Sequence, residues 1–269
     1  MEVPVRRLVL LAVFVGLAAC CFGDFNSPPA RGVQSAPGIA AQPPKKGKKF
    51  KSPTTGVEHE ITSTGEIFEN REAPDRAAPE GDNYAPSSKP ERMIAKLSFV
   101  KTPPDIYAHI DNLRKSLPAE AVMQKHDPLI TRDTNFDRVA EEKRNVRVTA
   151  LIYALSHEAD NDFHVIIGGD PKDPDRLYMN VEVSGLPKDG SDRKKLKTAR
   201  DQFKSHFGDV LPAKPGFHEI KPPVPVQVEG SLFYDISHKP DAPGPKAHKP
   251  HTSWEIHPVT DIQFPKGGA

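Results

Sequence analysis

Cysteine is nearly absent from this 269-residue chain: it occurs twice, as the adjacent pair Cys20 and Cys21. Everything after residue 21 therefore has no disulfide framework, no cysteine zinc site and no cysteine nucleophile. An excess of charge is missing as well. Thirty-seven Lys and Arg stand against 36 Asp and Glu, so composition gives no argument for nucleic acid or another polyanion as partner. Long apolar runs are also lacking. Leu8–Ala19 is uncharged and apolar but only 12 residues long, short of the roughly twenty a spanning helix needs. There is no Gly-x-Ser-x-Gly elbow and no His-Glu-x-x-His pair, which removes the usual signatures of serine hydrolases and zinc proteases. Gly168-Gly169-Asp170 joins two strand-like stretches instead of opening a helix, so it is not a phosphate loop.

What is present begins with an export signal. Arg6 and Arg7 form a positive n-region, Leu8–Ala19 is of h-region length, and Leu17-Ala18-Ala19-Cys20 resembles the bacterial lipobox. That resemblance implies lipidation of Cys20 and anchoring of the mature chain to the membrane of the bacterial cell envelope. An ordinary signal peptide cut near Ala19 or Gly23 is the alternative. Proline is abundant, at 29 residues, and hydrophobic residues make up only 36%. Residues 21–90 concentrate the Pro, Gly, Ser, Lys and Glu. They read as a disordered tether, with a short hairpin expected around Thr64-Gly65 in Val57–Phe68. The basic run from Lys45 to Lys49 is either solvated or near anionic headgroups.

Residues 91–142 read as partly helical, because Ile106, Ile110, Leu113 and Leu117 fall on one helical face with Asp105 as cap. From residue 143 the period changes. Val146–Leu155, Phe163–Ile167 and Leu177–Val183 read as three strands, and Arg193–Phe207 as a helix with Leu196, Ala199, Phe203 and Phe207 on its apolar face. Val226–Ile236, with a close approach at Gly230, and Ser253–Phe264 read as two further strands. This order predicts a mainly β domain over residues 143–265: a five-stranded OB-like Greek-key barrel with one helix between strands three and four. A small open sheet carrying one helix is the structural alternative.

The segments VRVTALIYALSHEADNDFHVII, MNVEV, VEGSLFYDISH and WEIHPVTDIQF together resemble a group of uncharacterised bacterial exported proteins. These share an EADGD-(F/Y)-H turn, a late G-x-x-F-Y-D-x-x-H strand and a W-E-I-H-P-V ending. The resemblance covers about residues 143–264 and implies an OB-like fold without implying an activity. Asn161 stands where that turn commonly carries Gly, and Asn tolerates the left-handed conformation the turn needs.

The polar residues of these segments are the candidate site. Asp235, His238, Glu255 and His257 form one possible divalent-metal or acid–base cluster. Glu255 and His257 share a strand face, with Trp254 and Ile256 on the other. Tyr178, Asp160, Asp162 and His164 are candidate ligand contacts, and His248 and His251 lie in the loop between the last two strands. The function expected is an envelope binding module for a protein or glycan. A metal-dependent hydrolase is the rival from another class. Nucleic-acid binding would need a basic groove with stacking aromatics, with Phe163, Tyr178, Phe233 and Tyr234 available; the acidic hairpin turn argues against it. A purely structural role ranks ahead of the metal reading on sequence alone: His257 bonded to backbone, Glu255 paired with a lysine, and the acidic turn solvated.

Overall fold

The computed structural model describes residues 46–66, 81–86, 91–238 and 242–266. The signal segment, Cys20 and most of the expected tether lie outside these residues. Among the described residues no helix is long and apolar enough to cross a membrane.

The architecture is mixed α/β and rich in strand. Eight strands form one sheet: β1 (Lys48–Lys51), β2 (Glu58–Ser63), β3 (Asp105–Tyr107), β4 (Asn145–His157), β5 (Phe163–Gly168), β6 (Tyr178–Val183), β7 (His218–Tyr234) and β8 (Trp254–Gln263). Their order is β1-β2-β7-β8-β6-β5-β4-β3, and a further pairing of β7 with β4 closes β4, β5, β6, β8 and β7 into a five-strand ring. Neighbours in the ring are antiparallel except β6 and β8, which run parallel. The one long helix, α4 (Arg193–Phe207), lies between β6 and β7 in the chain. Short helices α1 (Met93–Leu97), α2 (Ile110–Ser116) and α3 (Glu120–Met123) precede the ring.

Alternation along the strands sorts side chains to two faces. Val165, Ile167, Met179, Val181, Val183, Leu232, Tyr234, Trp254 and Ile256 join Ala199, Phe203 and Phe207 of α4 in the main apolar core. Burial of such side chains contributes about 1.5–3 kcal/mol each and dominates the stability of the ring. β7 bulges at Gly230, where a Cβ would collide with the carbonyl oxygen of Pro258 on β8. Only glycine fits that crossing.

Several expectations are corrected. Asp105 does not cap a helix: residues 105–107 pair in parallel with Val146–Val148, so Ile106 is 71% exposed and the helix starts only at Ile110. Strand pairing offers these residues a full hydrogen-bond ladder, which helical periodicity alone does not reveal. Residues 48–63 are not tether but a hairpin whose turn lies at residues 52–57 rather than at Thr64-Gly65. Glu60–Ser63 then pair with His218–Lys221, extending β7 eight residues before Val226 through a stretch that carries Pro222, Pro223 and Pro225. Arg200 of α4 is turned inward although the helix is rich in lysine and arginine. It is buried against Asp82, Asn161 and the carbonyls of Val183 and Ser184.

Candidate functional site

The face opposite the apolar core carries polar residues at consecutive cross-strand positions. His164 of β5 pairs with Glu182 of β6, Asn180 of β6 with Glu255 of β8, and Glu255 with Phe233 of β7. His257 follows two residues after Glu255 and so points the same way. Trp254 and Ile256 do face the core.

The elements around these strands roof the face. Asp160 and Asp162 enter from the β4–β5 turn, where Asn161 holds φ = 77°. The Asn161 amide donates to the carbonyls of Gly81 and Asn83, and Gly185 packs so closely on Tyr84 that a Cβ would lie 2.7 Å from its Cα. Lys96 reaches in from α1, and Arg138 donates to the carbonyls of Ala95, Leu232 and His257. A bidentate Arg92–Glu142 pair, with both bonds at 2.7 Å, fixes the roof to β7. Glu182, His164, His257, Glu255, His238 and Asp162 are all 0% exposed.

Within this enclosure the groups form a chain of contacts. His164 Nε2 lies 2.7 Å from Glu182 Oε1, and His257 Nδ1 2.9 Å from Glu182 Oε2. His257 Nε2 lies 3.5 Å from Asp162 Oδ2, and its Nδ1 3.7 Å from Glu255 Oε2. Farther along, His238 Nδ1 bonds Glu255 Oε1 at 2.7 Å and stands 3.1 Å from Asp235 Oδ2. The Asn180 amide donates to both Glu182 and Glu255. Among the described residues two groups have one donor atom per residue mutually within 4.8 Å: Asp162, Glu182 and His257, and Asp235, His238 and Glu255. Asp162 Oδ2, Glu182 Oε2 and Glu255 Oε2 are buried and accept no aligned hydrogen bond.

Charge in such an enclosure shifts the ionisable groups. Burial pushes the Asp162 carboxyl well above the usual range, and the charge of Asp160 adds to it. Asp160 is pushed up to about 6, burial outweighing the nearby Lys96 ammonium. Burial also opposes ionisation of Glu182, but His164, His257 and Lys96 together hold it well below the usual range. For His257 burial disfavours the imidazolium, yet Glu182 raises the group to about 9. Lys96, desolvated but facing Glu91, Glu182, Asp160 and Asp162, stays charged well above the ordinary lysine value.

Asp235, His238, Glu255 and His257 thus lie together, joined by Asp160, Asp162 and His164. Tyr178 does not. It is 5% exposed, belongs to a separate small cluster with Tyr153, and is packed against His248 and His251. His248 and His251 therefore pack beside Tyr178 and are in neither donor group. Phe163, Phe233 and Tyr234 are buried too, so none of the four aromatics offers a stacking platform. The acidic turn is enclosed rather than solvated, and Glu255 meets His238 and Asn180 rather than a lysine. Sequence reasoning missed Glu182, Asn180 and Lys96. The first two carry a signal, since polar residues alternate with Met179, Val181 and Val183 in a strand buried on both faces. Lys96 carries none.

Comparison with models of known protein families, with curated proteins and with solved structures returned no match.

Proposed function

We propose that this chain is an exported protein, lipid-anchored through Cys20 to the bacterial envelope, whose displayed domain is an OB-like barrel that binds a divalent metal ion of the zinc class in its interior. The ring order, the parallel pairing of β6 with β8 and the helix between β6 and β7 support the OB-like reading. The Arg6-Arg7 n-region, the short apolar run and the Leu-Ala-Ala-Cys ending support export and anchoring.

The observation that carries the metal reading is the convergence of Asp162, Glu182 and His257 from a turn and two strands, wholly buried, with Asp162 Oδ2 left without a hydrogen bond. Ligand atoms about 2.1 Å from a tetrahedral ion stand about 3.4 Å apart. The 3.5 Å between Asp162 Oδ2 and His257 Nε2 is close to that spacing, while Glu182 meets the ring from its Nδ1 side at 2.9 Å. Asp160, Asp162, Glu182, Asp235 and Glu255 are all buried carboxylates, with the Lys96 ammonium and the His257 imidazole as the basic groups nearest Asp162 and Glu182. Buried charge of one sign is costly unless a cation offsets it. Imidazole with carboxylate is a donor set suited to zinc and its neighbours.

A hydrolytic ion needs an open position and a path for substrate. The enclosure offers neither, so the geometry favours a held ion over a turnover site. Elemental analysis of the purified full-length chain in detergent, after dialysis against zinc and then buffer, tests this. The expected result is stoichiometric zinc in the native chain and a marked loss in Glu182→Gln. A metal-free native chain would sink the proposal.

A further inference from the structure

Glu255 is placed between the two donor groups, with one carboxylate oxygen facing each. Its Oε1 bonds His238 Nδ1 at 2.7 Å, and Asp235 Oδ2 completes that group at 3.1 Å from the same nitrogen. Its Oε2 accepts no hydrogen bond and lies 3.7 Å from His257 Nδ1, the ring nitrogen that Glu182 Oε2 also meets, while Asp162 lies at the opposite nitrogen. Asn180 braces the arrangement, donating to Glu182 Oε1 at 3.2 Å and to Glu255 Oε1 at 3.1 Å. From this we infer that the interior holds two divalent ions, the second bound by Asp235, His238 and Glu255, with the Glu255 carboxylate bridging them.

Local chain geometry builds the second group as deliberately as the strands build the first. Asp235 follows β7 directly, its backbone amide donates to the Ser253 carbonyl at 2.9 Å, and its Oδ1 accepts from the Ser237 amide at 2.6 Å. With Oδ1 engaged, Oδ2 is turned toward the imidazole. The one-turn helix Ile236–His238 then brings His238 back over the same strand end, and the His238 amide donates to the Asp235 carbonyl at 3.2 Å. All three side chains are at most 2% exposed. His238 Nδ1 faces both carboxylates, at 2.7 Å from Glu255 Oε1 and 3.1 Å from Asp235 Oδ2. A cation bound by the three would part the imidazole from Glu255 Oε1 beyond the present 2.7 Å and add positive charge beside the carboxylates. Bridging carboxylates are the usual way a protein brings two ions side by side, because each oxygen carries lone pairs for one ion.

This inference rests on the metal reading above, and the two fail differently. Manganese serves as the probe for both. The full-length chain in detergent, stripped by chelator and titrated with Mn²⁺ by calorimetry, is expected to take up two ions per chain. Its low-temperature electron paramagnetic resonance spectrum is expected to show the exchange-coupled pattern of a manganese pair. His238→Gln is expected to bind one ion and to give the six-line signal of isolated Mn²⁺. One ion in the native chain, with an uncoupled spectrum and no change in His238→Gln, would overturn the second site and leave the first standing. No uptake at all would overturn both. The native spectrum alone decides between one ion and two, should the variant not fold.

Discussion

The two faces of the ring are built from the same strands and obey opposite rules. On β6, Met179, Val181 and Val183 enter an apolar core closed by α4, whereas Asn180 and Glu182 enter a charged enclosure closed by residues from before the ring. The apolar face gains from area and shape, so any side chain of similar size and polarity serves it to within about 1.5 kcal/mol. The polar face works by pairing. Each of its groups is tolerable only while its partners remain. The first face is therefore permissive in sequence and demanding in volume, and the second is the reverse.

The largest expected effect comes from breaking a pair on the polar face. Glu182→Ala leaves His164, His257 and Lys96 facing a void, and is expected to cost about 4 kcal/mol in urea unfolding followed by circular dichroism. A cost below 1 kcal/mol would show that the enclosure is solvated and that the two faces do not differ. Next comes Lys96→Met, which removes the ammonium near Asp160 and Glu91 and is expected to cost about 3 kcal/mol in chelator. On the proposed function, zinc restores much of that loss by supplying the missing charge. Met179→Ala on the apolar face costs a similar amount through a cavity, and zinc leaves the size of that loss unchanged. Thermal melts in zinc and in chelator separate the two behaviours.

The smallest effect sharpens the comparison from the apolar side. His206 of α4 is 6% exposed, stacks on Phe264 and is pressed by burial, and by nearby His59, down to about 4. The unfolded chain protonates this imidazole near pH 6.5, well above the folded one. Stability from the neutral ring is therefore complete above pH 6.5 and falls as pH drops toward 4, by about 2 kcal/mol. His206→Phe should flatten that part of the stability profile, as read from urea midpoints between pH 7 and 4. An unchanged slope would assign the acid sensitivity elsewhere.

Much of the ring was legible because period-two alternation is local information. Phe163–Ile167 and Leu177–Val183 declare themselves as strands, and Gly230 marks a close approach, before any tertiary contact is known. The same alternation put Glu255 and His257 on one face. What stayed illegible depends on pairing between distant segments. β3 exists because residues 105–107 find β4, and the first half of β7 because it lies between β2 and β4. Proline there suggested a loop, since a proline lacks the amide a strand interior needs. The enclosure was half legible for the same reason. Asp160, Asp162, His164, Asp235, His238, Glu255 and His257 stand out as charged residues beside apolar strands. Lys96 becomes part of the group only when α1 folds over it.

The roof also sets an order of assembly. Arg138 binds the backbone of His257 across 119 positions, and Glu120 accepts from Ser253 across 133. Residues 91–142 leave the ribosome, and cross the membrane in the proposed export, well before β8 is made. The early segment must therefore stay open until the last strand arrives, and contacts of such long range form slowly. A chain cut short before Trp254 would keep four of the five ring strands and α4, yet lack Glu255 and His257 and leave the ring open. The polar enclosure is thus completed by the last strand: only with β8 in place do Glu255 and His257 meet Glu182 and His238.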